Sequence, residues 1–168
     1  RGYGGERYGV IPETAPQGAL PGVYLDGARY VRDTVKLFAG IRDKIGYDVK
    51  LIHDVHERVA PPEAVKLARE LEPFDLLFLE DPVCAEQTKW LREIRCHSGV
   101  PIAQGELFNR SIDWRDLISG HLIDYIRVHI SQIGGITPAR KLQMFAEQYG
   151  VRTAWHGPGD MSPIAHAA

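Results

Sequence analysis

The chain has 168 residues, 44% hydrophobic and 25% charged, with a formal charge of −2. That length suits one ordinary domain, and the balance argues against disorder; with no Lys/Arg block there is no footprint for a nucleic-acid backbone or an acidic membrane surface. No apolar run reaches the roughly 18 residues of a membrane span, and the opening RGYGGERYG is not a signal peptide, so the chain reads as cytoplasmic with a small molecule as its partner.

Residues 1–23 carry Gly2, Gly4, Gly5, Gly9, Pro12, Pro16, Gly18, Pro21 and Gly22 and read as a long loop of the functional kind, with the folded domain over 24–168. From Asp26, a suitable N-cap, a helical pattern runs to about Ile45 with Val31, Val35 and Leu37 apolar. Five short apolar runs ending in polar residues follow: VKLIHDVH (49–56), LLFLEDP (76–82), PIAQGE (101–106), YIRVHI (125–130) and VRTAWHG (151–157). They suit buried strands. Helical stretches lie between them at 61–72, 86–95, 111–120 and 137–150, and such alternation specifies parallel strands with helical crossovers. Cys84 and Cys96 are too few for a disulfide framework and read as buried free thiols, and Trp90 and Trp155 read as packing residues.

Acids end the first three strands at a 26-residue interval, Asp54, Glu80 and Glu106. In a barrel of parallel strands the C-terminal ends converge on one face, whereas a doubly wound sheet spreads them along a line. The fold class is therefore α/β, part of a (β/α) barrel. Five strands do not close one and about 250 residues is typical, so further strands are expected on both sides. The start at Arg1 without methionine agrees with that expectation.

Alternation decides which side chains share a face. Asp54 and His56 point one way with Ile52, while His53 and Val55 point the other; Glu80 follows Phe78 inward, Glu106 pairs with Gln104, and Arg127 with His129. Three acids in register would repel one another unless a cation neutralises them. All-oxygen ligation selects a hard cation, and few carboxylates with room for water suit one Mg²⁺ better than a Ca²⁺ cage.

The Asp-x-His ending one strand, the Leu-Glu-Asp-Pro of the next and the Gly-Glu of the third resemble the enolase superfamily. IHDVHER, FLEDP, GELFN and WHGPGDMSP, in that order, resemble its mannonate dehydratase group, acid-sugar dehydratases with a modified barrel and a separate capping domain. The resemblance implies Mg²⁺ on Asp54, Glu80 and Glu106, Tyr3 as the base on the α-proton, and His56 as the acid that protonates the leaving β-hydroxyl. It implies a substrate pocket lined by Arg127, His129, His156, Pro158 and Asp160, and a homo-oligomer. The substrate it implies is a C6 sugar acid, D-mannonate or D-gluconate, converted to 2-keto-3-deoxy-D-gluconate.

The residues alone leave alternatives. A histidine two positions from an acid is also a common structural partner, although imidazole titrates near neutrality and suits acid catalysis. A tyrosine in a glycine loop is more often a surface residue than a base, and the arginine expected to activate Tyr3 would lie upstream of Arg1. No Lys ends a strand, which disfavours a lysine-based racemase. The other readings are a weak or inactive sugar-acid-binding barrel with a regulatory role, a different acid-sugar dehydratase of the superfamily, and a barrel hydrolase with zinc.

Overall fold

The computed structural model describes residues 17–18 and 26–157; Tyr3, Pro158, Asp160 and most of the 1–23 loop lie outside the described residues. Helix α1 spans Gly27–Ile45, and the Asp26 side chain caps it by accepting from the Arg29 N–H at 2.9 Å. Its buried face is Tyr30, Val31, Thr34, Phe38 and Arg42. Leu37, expected on that face, is 41% exposed because the buried stripe advances in steps of four residues and passes it by.

Five parallel strands form one sheet: β1 Leu51–Asp54, β2 Leu76–Glu80, β3 Ile102–Gln104, β4 Tyr125–Ile126 and β5 Arg152–Thr153. Helices α2 Pro61–Leu71, α3 Leu91–His97, α4 Ser111–Ser119 and α5 Ile136–Gln148 connect them in turn. Strand order follows chain order throughout. A doubly wound sheet reverses its order at a switch point, so the consecutive order is that of a barrel wall, in agreement with the sequence reading.

The helix-facing side of the sheet is the core, where Leu79, Ile102 and Ile126 pack with Leu67, Leu91 and Ile118. The opposite side is the inner face, and there Ile52 is 48% exposed. Among the described residues, no helix is long and apolar enough to cross a membrane.

Three local expectations change. The 86–95 stretch is a 3₁₀ helix over Ala85–Trp90, interrupted at Gln87, before α3 begins at Leu91. That early turn leaves Trp90 38% exposed, whereas Trp155 does pack against the core. Cys84 and Cys96 are free but not buried: Cys84 is half-buried ahead of the 3₁₀ turn, and Cys96 lies exposed on α3, whose buried positions are Leu91 and Ile94.

Arg42 is a buried cation without a carboxylate partner in its hydrogen-bond set. Its guanidinium donates to the carbonyls of Gly46, Val49, Phe74 and Asp75, tying the end of α1 to the entries of β1 and β2. Five planar donors match this arrangement and an ammonium does not. We therefore expect Arg42→Ala to destabilise the protein by about 3 kcal/mol, through carbonyls left buried without a donor. Arg42→Lys should recover less than half of that loss in urea unfolding.

On the same side of the sheet, His53 shares a 2.8 Å hydrogen bond with the Tyr30 hydroxyl and meets Phe38 edge-on. Burial pulls its pKa from 6.5 down to about 4, with Asp54 opposing. A histidine whose folded pKa is depressed favours the folded state most fully above 6.5, and that contribution is lost as pH falls from 6.5 through 4. The drop should reach about 3 kcal/mol over this window and be absent in His53→Gln, as read from unfolding midpoints between pH 7 and pH 4.

Candidate active site

The C-terminal ends of the strands carry the predicted polar residues to one rim. Asp54 and Glu80 are register partners on β1 and β2, and the Val55 N–H donates to the Glu80 carbonyl at 2.9 Å. Alternation therefore works as expected for these two strands. It does not work for the third. Glu80 is in register with Ala103, so Glu106 lies three residues further along and the 26-residue interval is not a register. Gln104, the last residue of β3, is in register with the core residue Ile126, so it does not share a face with Glu106.

Gly105 reconciles the two. Its φ of +138° turns the chain out of the strand so that Glu106 returns to the inner side. There Glu106 meets the imidazoles: its carboxylate is 3.4 Å from His56 Nε2, 3.8 Å from His156 Nε2 and 3.9 Å from His129 Nε2. His129 and His156 are joined by an isolated parallel bridge, and their rings lie 4.4 Å apart.

Two sets of potential ligand atoms lie within 4.8 Å of one another among the described residues: Asp54, His56 and Glu106, and Glu106, His129 and His156. Glu106 belongs to both. Glu80 belongs to neither; its Oε1 accepts the Arg127 Nε–H, and His156 Nε2 is 3.8 Å from the same oxygen. Arg127 thus sits on the inner face, but its carboxylate partner there is Glu80.

Burial pushes the Glu80 carboxyl above its ordinary range, and the Asp54 and Glu106 carboxylates push it further while Arg127 opposes. The donor set is rich in carboxylate oxygens and holds like charges that a divalent cation would relieve, so Asp54, Glu80 and Glu106 fit a hard cation. Burial also lowers the pKa of His156, with Arg127 adding to the effect, which favours its neutral form. His56 is 55% exposed at its side chain, unlike a buried structural histidine.

The rim is built from unusual backbone. His56 and Glu57 have φ of 54° and 59°, and Asp81 has φ of 38°. Each such non-glycine residue costs roughly 1–2 kcal/mol. Asp81 escaped the sequence reading as a functional residue although it stands inside LEDP: it is buried, and its Oδ1 accepts the Gly105 N–H at 2.9 Å. Burial drives its carboxyl up to about 8, with the carboxylates of Glu80, Glu57 and Glu106 contributing.

Residues 15–168 match the family described as enolase C-terminal domain-like. The chain belongs to that family. It is similar to a D-galactonate dehydratase family member of Enterococcus gallinarum, at 51% identity over 99% of this chain and 40% of that protein. A second relative of the same designation, from Musicola paradisiaca, is 51% identical over 95% of this chain and 38% of its own length. A solved enolase from Pantoea ananatis with bound D-gluconate and Mg superposes with a TM-score of 0.87 at 51% identity, covering 93% of this chain and 38% of that one. The chain thus spans about two fifths of the length of the curated relatives it matches. Those relatives are named D-galactonate dehydratase family members, not mannonate dehydratases. As a member of the enolase C-terminal domain-like family, the chain has its polar rim where barrel enzymes build their active sites.

A Cβ at Gly105 would lie 3.1 Å from Val128 Cγ1 and 3.2 Å from both Ile126 Cδ1 and Phe108 Cδ2, in a backbone region that side chains avoid. Gly105→Ala should cost about 2 kcal/mol in stability and move Glu106 away from His56. A variant with wild-type unfolding midpoint would contradict this account of the turn.

Proposed function

We propose that the chain is part of the barrel of a Mg²⁺-dependent dehydratase of C6 sugar acids, acting on D-mannonate first and D-gluconate second. The observation that carries this reading is the meeting of Asp54, His56 and Glu106 within 4.8 Å, with buried Glu80 beside them: acids for a cation and an exposed imidazole at one point. The relatives' designation as D-galactonate dehydratase family members supports an acid-sugar dehydratase, and the D-gluconate and Mg of the Pantoea ananatis structure support the cation and a sugar-acid ligand.

Removing a proton next to a carboxylate places a second negative charge on the acid, and a bound Mg²⁺ supplies the charge stabilisation that makes so weak a carbon acid reactive. Asp54, Glu80 and Glu106 would hold the ion. Tyr3, outside the described residues, is the proposed base on the α-proton. His56 gives a proton to the departing β-hydroxyl, since hydroxide is a poor leaving group; its exposed ring beside Glu106 is free to reach a substrate and to be reprotonated from solvent. Arg127, half-buried against Glu80, orients that carboxyl and opposes the rise in its pKa, and His129 and His156 offer imidazole nitrogens to the sugar hydroxyls. Pro158 and Asp160 are the remaining proposed pocket residues. Assembly as a homo-oligomer and a cytoplasmic location belong to the same proposal.

The full-length enzyme should form 2-keto-3-deoxy acids from D-mannonate or D-gluconate when Mg²⁺ is added. Asp54→Asn should abolish Mg²⁺ binding. His56→Asn should bind Mg²⁺ as wild type yet lose at least about 10²-fold in kcat. No product from any aldonic acid, tight sugar-acid binding without turnover, or a zinc-loaded protein indifferent to Mg²⁺ would overturn the reading; the last would favour a hydrolase.

A further inference from the structure

We propose that Asp81 is a positioning residue that aims both Glu106 and His56, a role that rests on the dehydratase reading above. Asp81 is 2% exposed and directly follows the buried Glu80 on β2. Its side chain is engaged by the Gly105 N–H and belongs to neither group of potential ligand atoms, which leaves it a positioning role. It is instead joined to both neighbouring rim segments. Toward β3, its own N–H donates to the Ala103 carbonyl at 2.9 Å, and its carboxylate Oδ1 accepts the Gly105 N–H at 2.9 Å. Toward β1, its carbonyl accepts the Glu57 N–H at 3.0 Å.

These bonds fall where the rim departs from strand geometry. Gly105 is the turn that brings Glu106 inward from three residues beyond the register of Glu80. Glu57 is the second of two left-handed residues, and the first is His56 itself. Neither direction follows from strand alternation, so each requires a fixed partner. One residue supplies both: its carboxyl oxygen holds the N–H of Gly105, the residue before Glu106, and its main-chain carbonyl holds the peptide that follows His56. The adjacent Val83 carbonyl accepts from the Gln104 side chain at 2.9 Å, which fixes the loop after Asp81 against the same strand. What Asp81 contributes is an acceptor oxygen at one place, and a charge is not needed for that.

The test is Mn²⁺ affinity of the full-length protein, with kcat and KM measured beside it, for Asp81→Asn, Asp81→Ala and Asp81→Glu. Asp81→Asn keeps an oxygen facing Gly105 and should bind Mn²⁺ within about threefold of wild type. Asp81→Ala, without the acceptor, and Asp81→Glu, with the acceptor displaced by a methylene, should bind roughly 10–100-fold more weakly and fall similarly in kcat. The order of Asn above Glu is the signature, because charge conservation alone would reverse it.

Wild-type Mn²⁺ affinity in folded Asp81→Ala and Asp81→Glu, with only their unfolding midpoints lowered, would reduce Asp81 to a structural residue and overturn the proposal. An Asp81→Asn protein as impaired as Asp81→Ala would overturn it as well. Should the Ala and Glu variants fail to fold, Asp81→Asn decides alone by the same criterion. Because Mn²⁺ affinity is read without turnover, a wild-type protein that binds Mn²⁺ but dehydrates no sugar acid would sink the dehydratase reading and leave this measurement valid. A wild-type protein that binds no Mn²⁺ would overturn the proposal together with the cation site.

Discussion

Carboxylates gathered at one end of a parallel sheet repel one another, and this repulsion is the constraint around which the rim is arranged. Asp54 and Glu80 are brought side by side by register, with Glu80 buried and therefore unable to relieve its charge into water. The fold opposes the repulsion with one cation of its own, Arg127, against Glu80. Asp54 and Glu106 have no comparable guanidinium contact among the described residues; three imidazoles stand near Glu106 instead. A rim so composed is only partly neutralised by its own side chains. The remaining negative charge, on the open side of the site, is what suits it to a divalent ion.

The elements of this fold were legible because a parallel sheet buried on its helix side demands apolar strands, and apolar strands separated by amphipathic helices leave a clear period. All five strands fall within the runs read from the sequence, and α2, α4 and α5 begin within one residue of their expected starts. The parity of Asp54 and Glu80 was legible for the same reason: both still lie inside strands, past the register shift at Leu51/Ile52. Glu106 was found for a reason that fails on inspection. Its equal interval suggested register, but β3 ends two residues earlier, and the side chain reaches the site through the conformation of Gly105. A glycine in GELFN marks a possible turn and does not specify its direction, which depends on the core side chains of Ile126, Val128 and Phe108 packed around it.

Other errors share one cause. Exposure of Leu37, Trp90 and Cys96 depends on how neighbouring elements meet rather than on the residue's own character, and the same holds for the burial of Arg42. Arg42 carries no signal of its own in the sequence. Its place on the buried stripe of α1 becomes apparent only once the carbonyls of Phe74 and Asp75 arrive from a segment more than thirty residues away.

Left-handed backbone in non-glycine residues occurs at the rim and also in the scaffold connections at Asp75 and His121. The pairing of β1 with β2 shifts register between Leu51 and Ile52 and runs in step from there to Asp54 and Glu80, which need nothing beyond that pairing to be placed. Three residues beyond those strand ends, His56, Glu57 and Asp81, occupy left-handed conformations, and Gly105 turns beyond the end of β3. Left-handed backbone in non-glycine residues persists only where surrounding bonds over-determine it. Here those bonds run between adjacent rim segments, from Glu57 to Asp81 and from Gly105 to Asp81. The acids placed by strand pairing are thus held by the sheet, while the imidazole and the third acid are held by the rim itself. A change in the helices or core should shift both together; a change at the rim should separate the third acid and the imidazole from the other two acids.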